Sequence, residues 1–252
     1  MTKATLTTAL ANCASLTTTN AAVTVCLAAR DAGATIPIMH RLQLSDELTE
    51  GFLSAAVATL RTLHADVMSG ERTLESYDAG GVPDKHEVEF HTPPVGSTPA
   101  AVIKSLDALQ QLPVFDGKPR TINKLVFHVI AIQRGTQAPI YLFRKYSKTK
   151  ELGRSKKLVA LFSGGAFDRI KDPVFIFDDA VDCVWIAGQM VVLYKDNYHR
   201  IFQFFEEALV HADRTLAQIQ AAVPIDNAGR FVSDCKGNAV ILMRLRGIAD
   251  RN

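Results

Sequence analysis

The sequence predicts an α+β protein: a mostly antiparallel, mixed sheet meander with helices packed on it and a helical C-terminal part. Three observations predict it. Short β-rich runs crowd the chain from Leu125 to Tyr194, separated by turns and without a helical stretch between them. Such close spacing requires antiparallel neighbours, because parallel strands need long crossovers. Apolar residues recur at helical spacing before this region and again, continuously, after Tyr198. Hydrophobic residues make up 48% of 252 positions, enough for a sizeable core without covalent staples, and 21% charged residues exclude a chain disordered throughout.

The elements follow in chain order. Ala22 to Ala29 (AVTVCLAA) is short, apolar and β-branched, so it reads as a strand. Ser45 opens a helix with Asp46 and Glu47 in its first turn, where the helix dipole favours negative charge. Leu48, Phe52, Ala56, Leu60 and Leu63 mark its buried stripe, and Ser69 to Asp84 reads as a polar loop. His86 to His91 alternates like a strand. Thr98 and Pro99 suggest an N-cap followed by proline at the first helical position, with Val102, Leu106 and Leu109 facing inward.

In the middle third, strands are expected at Leu125 to Ile132, Ile140 to Tyr146, Leu158 to Phe162, Val174 to Phe177, Val181 to Ala187 and Met190 to Tyr194. All of them are expected in one contiguous sheet. From Tyr198 the pattern is helical, with Ile201, Phe204, Phe205, Ala208, Ala212, Leu216 and Ile219 on one face as far as Ala222, before Pro224 and Asn227 break it. A last amphipathic helix is expected over Phe231 to Ile248. The domain reading is a sheet domain over 1–197 and a helical part over 198–252 packed on it; the two also read as one single domain, with the phenylalanine-bearing helix covering the sheet.

A net charge of +2 does not by itself imply nucleic acid. Cys13, Cys26, Cys183 and Cys235 form no CxxC pair, so free thiols in a reducing compartment are expected. The Thr/Ala-rich N-terminus lacks the apolar core of a signal peptide, and no run approaches the roughly 18 apolar residues of a membrane span. The expectation is a cytoplasmic protein.

Several motifs fail on inspection. The histidines of HEVEFH are five apart on a strand, on opposite faces, whereas a zinc protease site needs them four apart on a helix. His128 reads as a hydrogen-bonded core histidine inside an apolar strand. Ser163-Gly164-Gly165 lacks the GxxxxGK[ST] of a phosphate loop and the first glycine of a nucleophile elbow. Asp178, Asp179 and Asp182 could hold a magnesium ion, but paired aspartates also suit a tight turn, and Asp182 is expected to serve the fold rather than a metal.

One segment stands out. Residues 144–157 read RKYSKTKELGRSKK, with seven cations (Arg144, Lys145, Lys148, Lys150, Arg154, Lys156 and Lys157) against the single acid Glu151. Expected strands on both sides would hold these cations in a fixed patch, with Ser147, Thr149 and Ser155 as hydroxyl donors. Such groups contact phosphates without reading sequence. Tyr146 at the strand end could stack on a base or pack inward. A solvated loop and a surface for anionic lipid headgroups need the same cations.

The run from Tyr141 to Ala208 resembles the KwaB-like family of the Kiwa anti-phage system. It carries an aromatic-basic start (Phe143, Arg144, Lys145), the basic loop, a short strand with a glycine turn, the Asp-bearing pair FDDAVDCVWI and the aromatic helix IFQFFEE. The resemblance is clear over Asn123 to Asn227. It implies defence against phage, DNA binding, and work beside a membrane-embedded KwaA-like partner at the inner membrane. It implies no catalytic chemistry and no cofactor.

The leading expectation is a non-enzymatic protein that binds double-stranded DNA through the seven cations. The alternatives are a metal-dependent nuclease using Asp178, Asp179 and Asp182, and a scaffold docking on a membrane protein or anionic lipid. Self-association into a homo-oligomer is left open.

Overall fold

The computed structural model describes residues 3–13, 15–17, 19–81, 84–146, 160–163, 166–169, 175–177, 179–238 and 241–245. Its centre is an eight-stranded mixed sheet. The first half of the chain supplies β1 (Ala22–Ala29), β2 (Ile38–Arg41), β3 (Thr73–Ser76) and β4 (Glu87–His91). The second half supplies β5 (Leu125–Gln133), β6 (Ile140–Lys145), β9 (Cys183–Ile186) and β10 (Gln189–Val192). The order across the sheet is β2-β1-β5-β6-β9-β10-β4-β3, antiparallel throughout except for β3 beside β4.

Side chains alternate between the two faces with the period of two that a pleated strand imposes. On one face lie Cys26 and Ala28 of β1, Phe127, Val129 and Ala131 of β5, Tyr141 and Phe143 of β6, and Met190 and Val192 of β10. On the other lie Val25, Ile130, Ile132, Leu142, Val184, Ile186 and Val191. The central strands are buried on both faces because helices cover both.

The second face is covered by α1 (Lys3–Cys13), through Leu6 and Leu10, and by α2 (Asp46–Ser69), through Phe52, Ala56, Leu60 and Leu63. Helix α2 starts as expected, with the Ser45 side chain accepting from the Leu48 N–H at 3.3 Å. It stops at Gly70, whose φ of 77° is the left-handed cap that glycine adopts at little cost. The first face is covered by α3 (Thr98–Ser105), α5 (Lys195–Ile201), α6 (Phe204–Ala222), α7 (Ala228–Gly237) and residues 241–245, with a short α4 (Pro119–Ile122) leading into β5.

Several expectations are corrected. The strands of 125–194 do not form one sheet: among the described residues β7 (Ala160–Ser163) and β8 (Ala166–Arg169) pair only with each other, in a separate two-stranded ribbon. A strand edge takes one partner, and β9 occupies the edge of β6, with Tyr141 opposite Trp185 and Phe143 opposite Cys183. Residues 175–177 are not a strand; Phe177 instead packs edge-on against Phe52 and His128.

The helix expected from Tyr198 to Ala222 is two helices, broken at Gln203 (φ 57°). In one straight helix Phe204 would sit about 200° around from Phe202, on the opposite side. The break lets Tyr198, Ile201, Phe202 and Phe204 all enter the same core. The last helix is interrupted at Asn238. Ser97 rather than Thr98 caps α3, accepting from the Ala100 N–H. The polar loop expected over Ser69 to Asp84 contains strand β3, which pairs with β4. Helix α1 and strand β2 had no expectation; β2 is short, and α1 is built largely of Thr and Ala without a clear stripe.

Candidate functional site

Strand β6 ends at Lys145, and the basic segment begins there. Arg144 Nη1 lies 2.7 Å from Asp182 Oδ1, the Asn197 side-chain amide donates to the same oxygen at 2.8 Å, and the Lys145 backbone N–H donates to Oδ2 at 2.6 Å. Asp182 is wholly buried, so both carboxylate oxygens are satisfied by protein donors, as a buried anion requires. Its backbone also accepts from Leu193 and Tyr194, which ties the entry of β9 to the exit of β10. Asp182 is therefore a structural knot between β6, β9 and α5, in line with the role expected for it.

The other acids do not join it in a visible cluster. Asp179 is exposed and lines a groove of about 360 Å³ along α2, and Asp178 lies outside the described residues. Among the described residues no three His, Cys, Asp or Glu side chains converge as a metal site would need.

Of the seven cations, Arg144 and Lys145 are described. The Arg144 side chain is 20% exposed and turned onto Asp182; Lys145 is half-buried. Lys148, Lys150, Arg154, Lys156 and Lys157 lie outside the described residues. Strands flank the segment on both sides as expected, β6 before it and β7 after it, but they belong to different sheets. Among the described residues the Asp182 knot anchors its start. Tyr146 packs inward with Leu27, Ala29, Ile122 and Leu125, and its N–H donates to the Val126 carbonyl. It is core rather than a stacking platform.

The histidines of HEVEFH part ways. His86 is exposed in a turn against the Glu71 carbonyl, while His91 is half-buried and bonded to the Tyr198 hydroxyl. His128 is buried in β5, as expected of a core histidine. Sequence reasoning missed the gathering of Tyr77, Glu89, His91, Lys195, Tyr198 and His199 on the face covered by α5. The one local signal was alternation, which puts Glu89 and His91 on the same side of β4.

The model of the Kiwa protein KwaB-like family matches residues 122–251. No curated protein and no solved structure matches the chain. The matched stretch holds the four central strands of the sheet, the Asp182 knot, the basic segment and the helices from α5 onward. With more than half of its length matched in this way, the chain belongs to the KwaB-like family of Kiwa proteins.

Proposed function

We propose that this protein is a non-enzymatic anti-phage defence protein that binds duplex DNA largely without sequence preference, beside a membrane-embedded KwaA-like partner. Membership of the KwaB-like family implies Kiwa anti-phage defence. The observation that carries DNA binding is the charge of residues 144–157, seven cations against one acid. Cations at this density gain affinity by displacing the counterions of a phosphate backbone. They read no base edges, so specific and scrambled duplexes bind alike.

The Asp182 knot supports the reading by fixing where the segment leaves the sheet. Lys145, Lys148, Lys150, Arg154, Lys156 and Lys157 then contact phosphates, and Arg144 chiefly positions the segment. Among the described residues no helix is long and apolar enough to cross a membrane, so the partner supplies the membrane contact in this reading.

A salt titration of duplex binding tests the proposal. With four to six phosphates neutralised, log K falls against log salt with a slope of roughly −4 to −5. A complex insensitive to salt would rule the reading out.

A further inference from the structure

A second group of ionisable side chains lies away from the basic segment, where β4, the loop after β3 and helix α5 meet. Its contacts cross. His91 Nε2 is 2.7 Å from the Tyr198 hydroxyl, and the Tyr77 hydroxyl is 2.8 Å from His199 Nε2. The Tyr77 and His91 rings stack at 4.4 Å and 20°. Lys195 Nζ meets Glu89 Oε1 at 2.9 Å, donates to the carbonyls of Asp78 and Gly81, and lies 5.2 Å from the centre of the Tyr77 ring.

The same loop is gripped from the C-terminal side. Arg244 Nε donates to the Gly80 carbonyl at 3.3 Å, and a Cβ at Gly80 would stand 2.8 Å from the Arg244 Cα. Residues 77–81 therefore tie the edge of the sheet to α5 and to residues 241–245.

The charges facing His91 balance while it is neutral. Strand β4 contributes Glu89, whose Oε1 is shared by Lys195 and the Asp78 N–H. The loop contributes Tyr77 and Asp78, and the Asp78 carboxylate accepts from the Gly80 N–H. Helix α5 contributes Lys195, Tyr198 and His199, and α6 contributes the ring of Phe204. Glu89 and Asp78 bring two negative charges, and Lys195 and Arg244, which grip the same loop, bring two positive ones. A proton on His91 adds a second cation beside Tyr77 in a place largely closed to water, and turns both ring nitrogens into donors.

We propose that these crossed Tyr–His pairs form a proton-operated clasp, in which protonation of His91 releases α5 and residues 241–245 from the Tyr77–Gly81 loop. The clasp joins residues before the family match to residues within it: Tyr77, Glu89 and His91 precede residue 122, and Lys195, Tyr198 and His199 lie inside the matched stretch.

Burial supports this by holding the His91 imidazole at about 4, from an ordinary 6.5. A depressed histidine favours the closed state fully above its open-state value and loses that advantage as pH falls toward its closed-state value. Between about pH 7.5 and pH 5 the opening constant rises roughly thirty-fold.

Hydrogen exchange on the full chain, corrected for intrinsic rates, tests it. Amides of residues 77–81 and 195–202 should lose protection roughly thirty-fold on going from about pH 7.5 to pH 5, while those of β5 hold. His91→Gln, which keeps a hydrogen-bonding side chain but cannot take the proton, should remove the pH dependence. A second measurement needs no substitution: the His91 ring resonances of labelled wild-type protein should titrate at the exchange midpoint, taken as the pH where the opening constant reaches half of its acid limit. Equal protection at both pH values overturns the proposal, as does acid release that persists in His91→Gln. If that variant does not fold, the wild type decides alone: coincident midpoints support the clasp, and midpoints more than about one pH unit apart overturn it.

Discussion

Arg144 and Asp182 meet at 2.7 Å where β6 ends and β9 begins, and their ion pair is the point from which the basic segment leaves the sheet. One member of the most cationic stretch of the sequence is thus turned inward. The arrangement separates two properties that a sequence cannot separate: which cations hold the fold and which are left for a partner.

Removing one partner of this pair leaves a buried charge. Asp182→Ala should destabilise the protein by about 3 kcal/mol, at the lower end of the range for broken buried pairs, because the Arg144 side chain keeps some access to water. Denaturant unfolding measures this, and a loss below about 1 kcal/mol would show that the knot contributes little.

Replacing Lys148, Lys150, Arg154 and Lys156 with Glu should abolish duplex binding while the thermal midpoint stays near that of the wild type, at roughly 0.5 kcal/mol or less per site. Single Lys→Ala changes should each lower the salt slope by about one unit at most. Undiminished binding by the four-fold variant would mean that DNA, if bound, is bound elsewhere.

Ala187 carries a φ of 50° in the tight turn joining β9 to β10, beside Gly188 at 76°. A left-handed backbone costs an alanine about 1–2 kcal/mol. Ala187→Gly should relieve that strain, partly offset by the entropy of the freer unfolded chain, for a gain of about 0.5–1 kcal/mol in denaturant unfolding. A destabilised variant would show that the turn is held by something other than backbone preference.

All four cysteines are free and buried. Burial pushes Cys13 up to about 11, Cys26 up to about 12, and Cys183 well above the ordinary thiol value of 9.0. A raised thiol keeps its proton longer in the folded state, so its contribution to stability is complete below about pH 9 and declines above it as the unfolded thiols ionise. A thiol reagent at neutral pH should label all four only after denaturation, and stability should fall as pH rises from about 9 to 11. Rapid labelling of the native protein would contradict this.

The family-matched stretch should not fold alone. Its outer strands β5 and β10 pair with β1 and β4, both from before residue 122, so residues 122–252 by themselves would present two bare sheet edges. Expressed alone, this fragment should aggregate, and co-expression with residues 1–121 should restore it. A soluble, cooperatively unfolding fragment would overturn the expectation.

Much of the local structure is legible in the residues. The β-branched run of β5, the Ser45 cap and the stripe of α2 from Phe52 onward are statements about neighbours in the chain, and they stand in the fold as expected, whereas Leu48, expected on that stripe, is exposed. The crowding of cations at 144–157 is of the same kind and needs no fold to be seen. The inward turn of Tyr146 was ambiguous, because a tyrosine at a strand end suits a core and a surface equally well.

What the sequence by itself determined is the class of protein and the location of its charge: strands and helices with the right periodicities, free thiols, and one cationic segment. The tertiary structure alone decided strand order, with β1 beside β5 and β10 beside β4, and the exclusion of β7 and β8 from the main sheet. It alone brought Arg144 to Asp182, Tyr77 to His199 and His91 to Tyr198, pairs separated by 38, 122 and 107 positions. Periodicity records which face of an element is apolar, within a few residues. It carries no information on which distant polar group will share that face, because this depends on which strand fills each open edge.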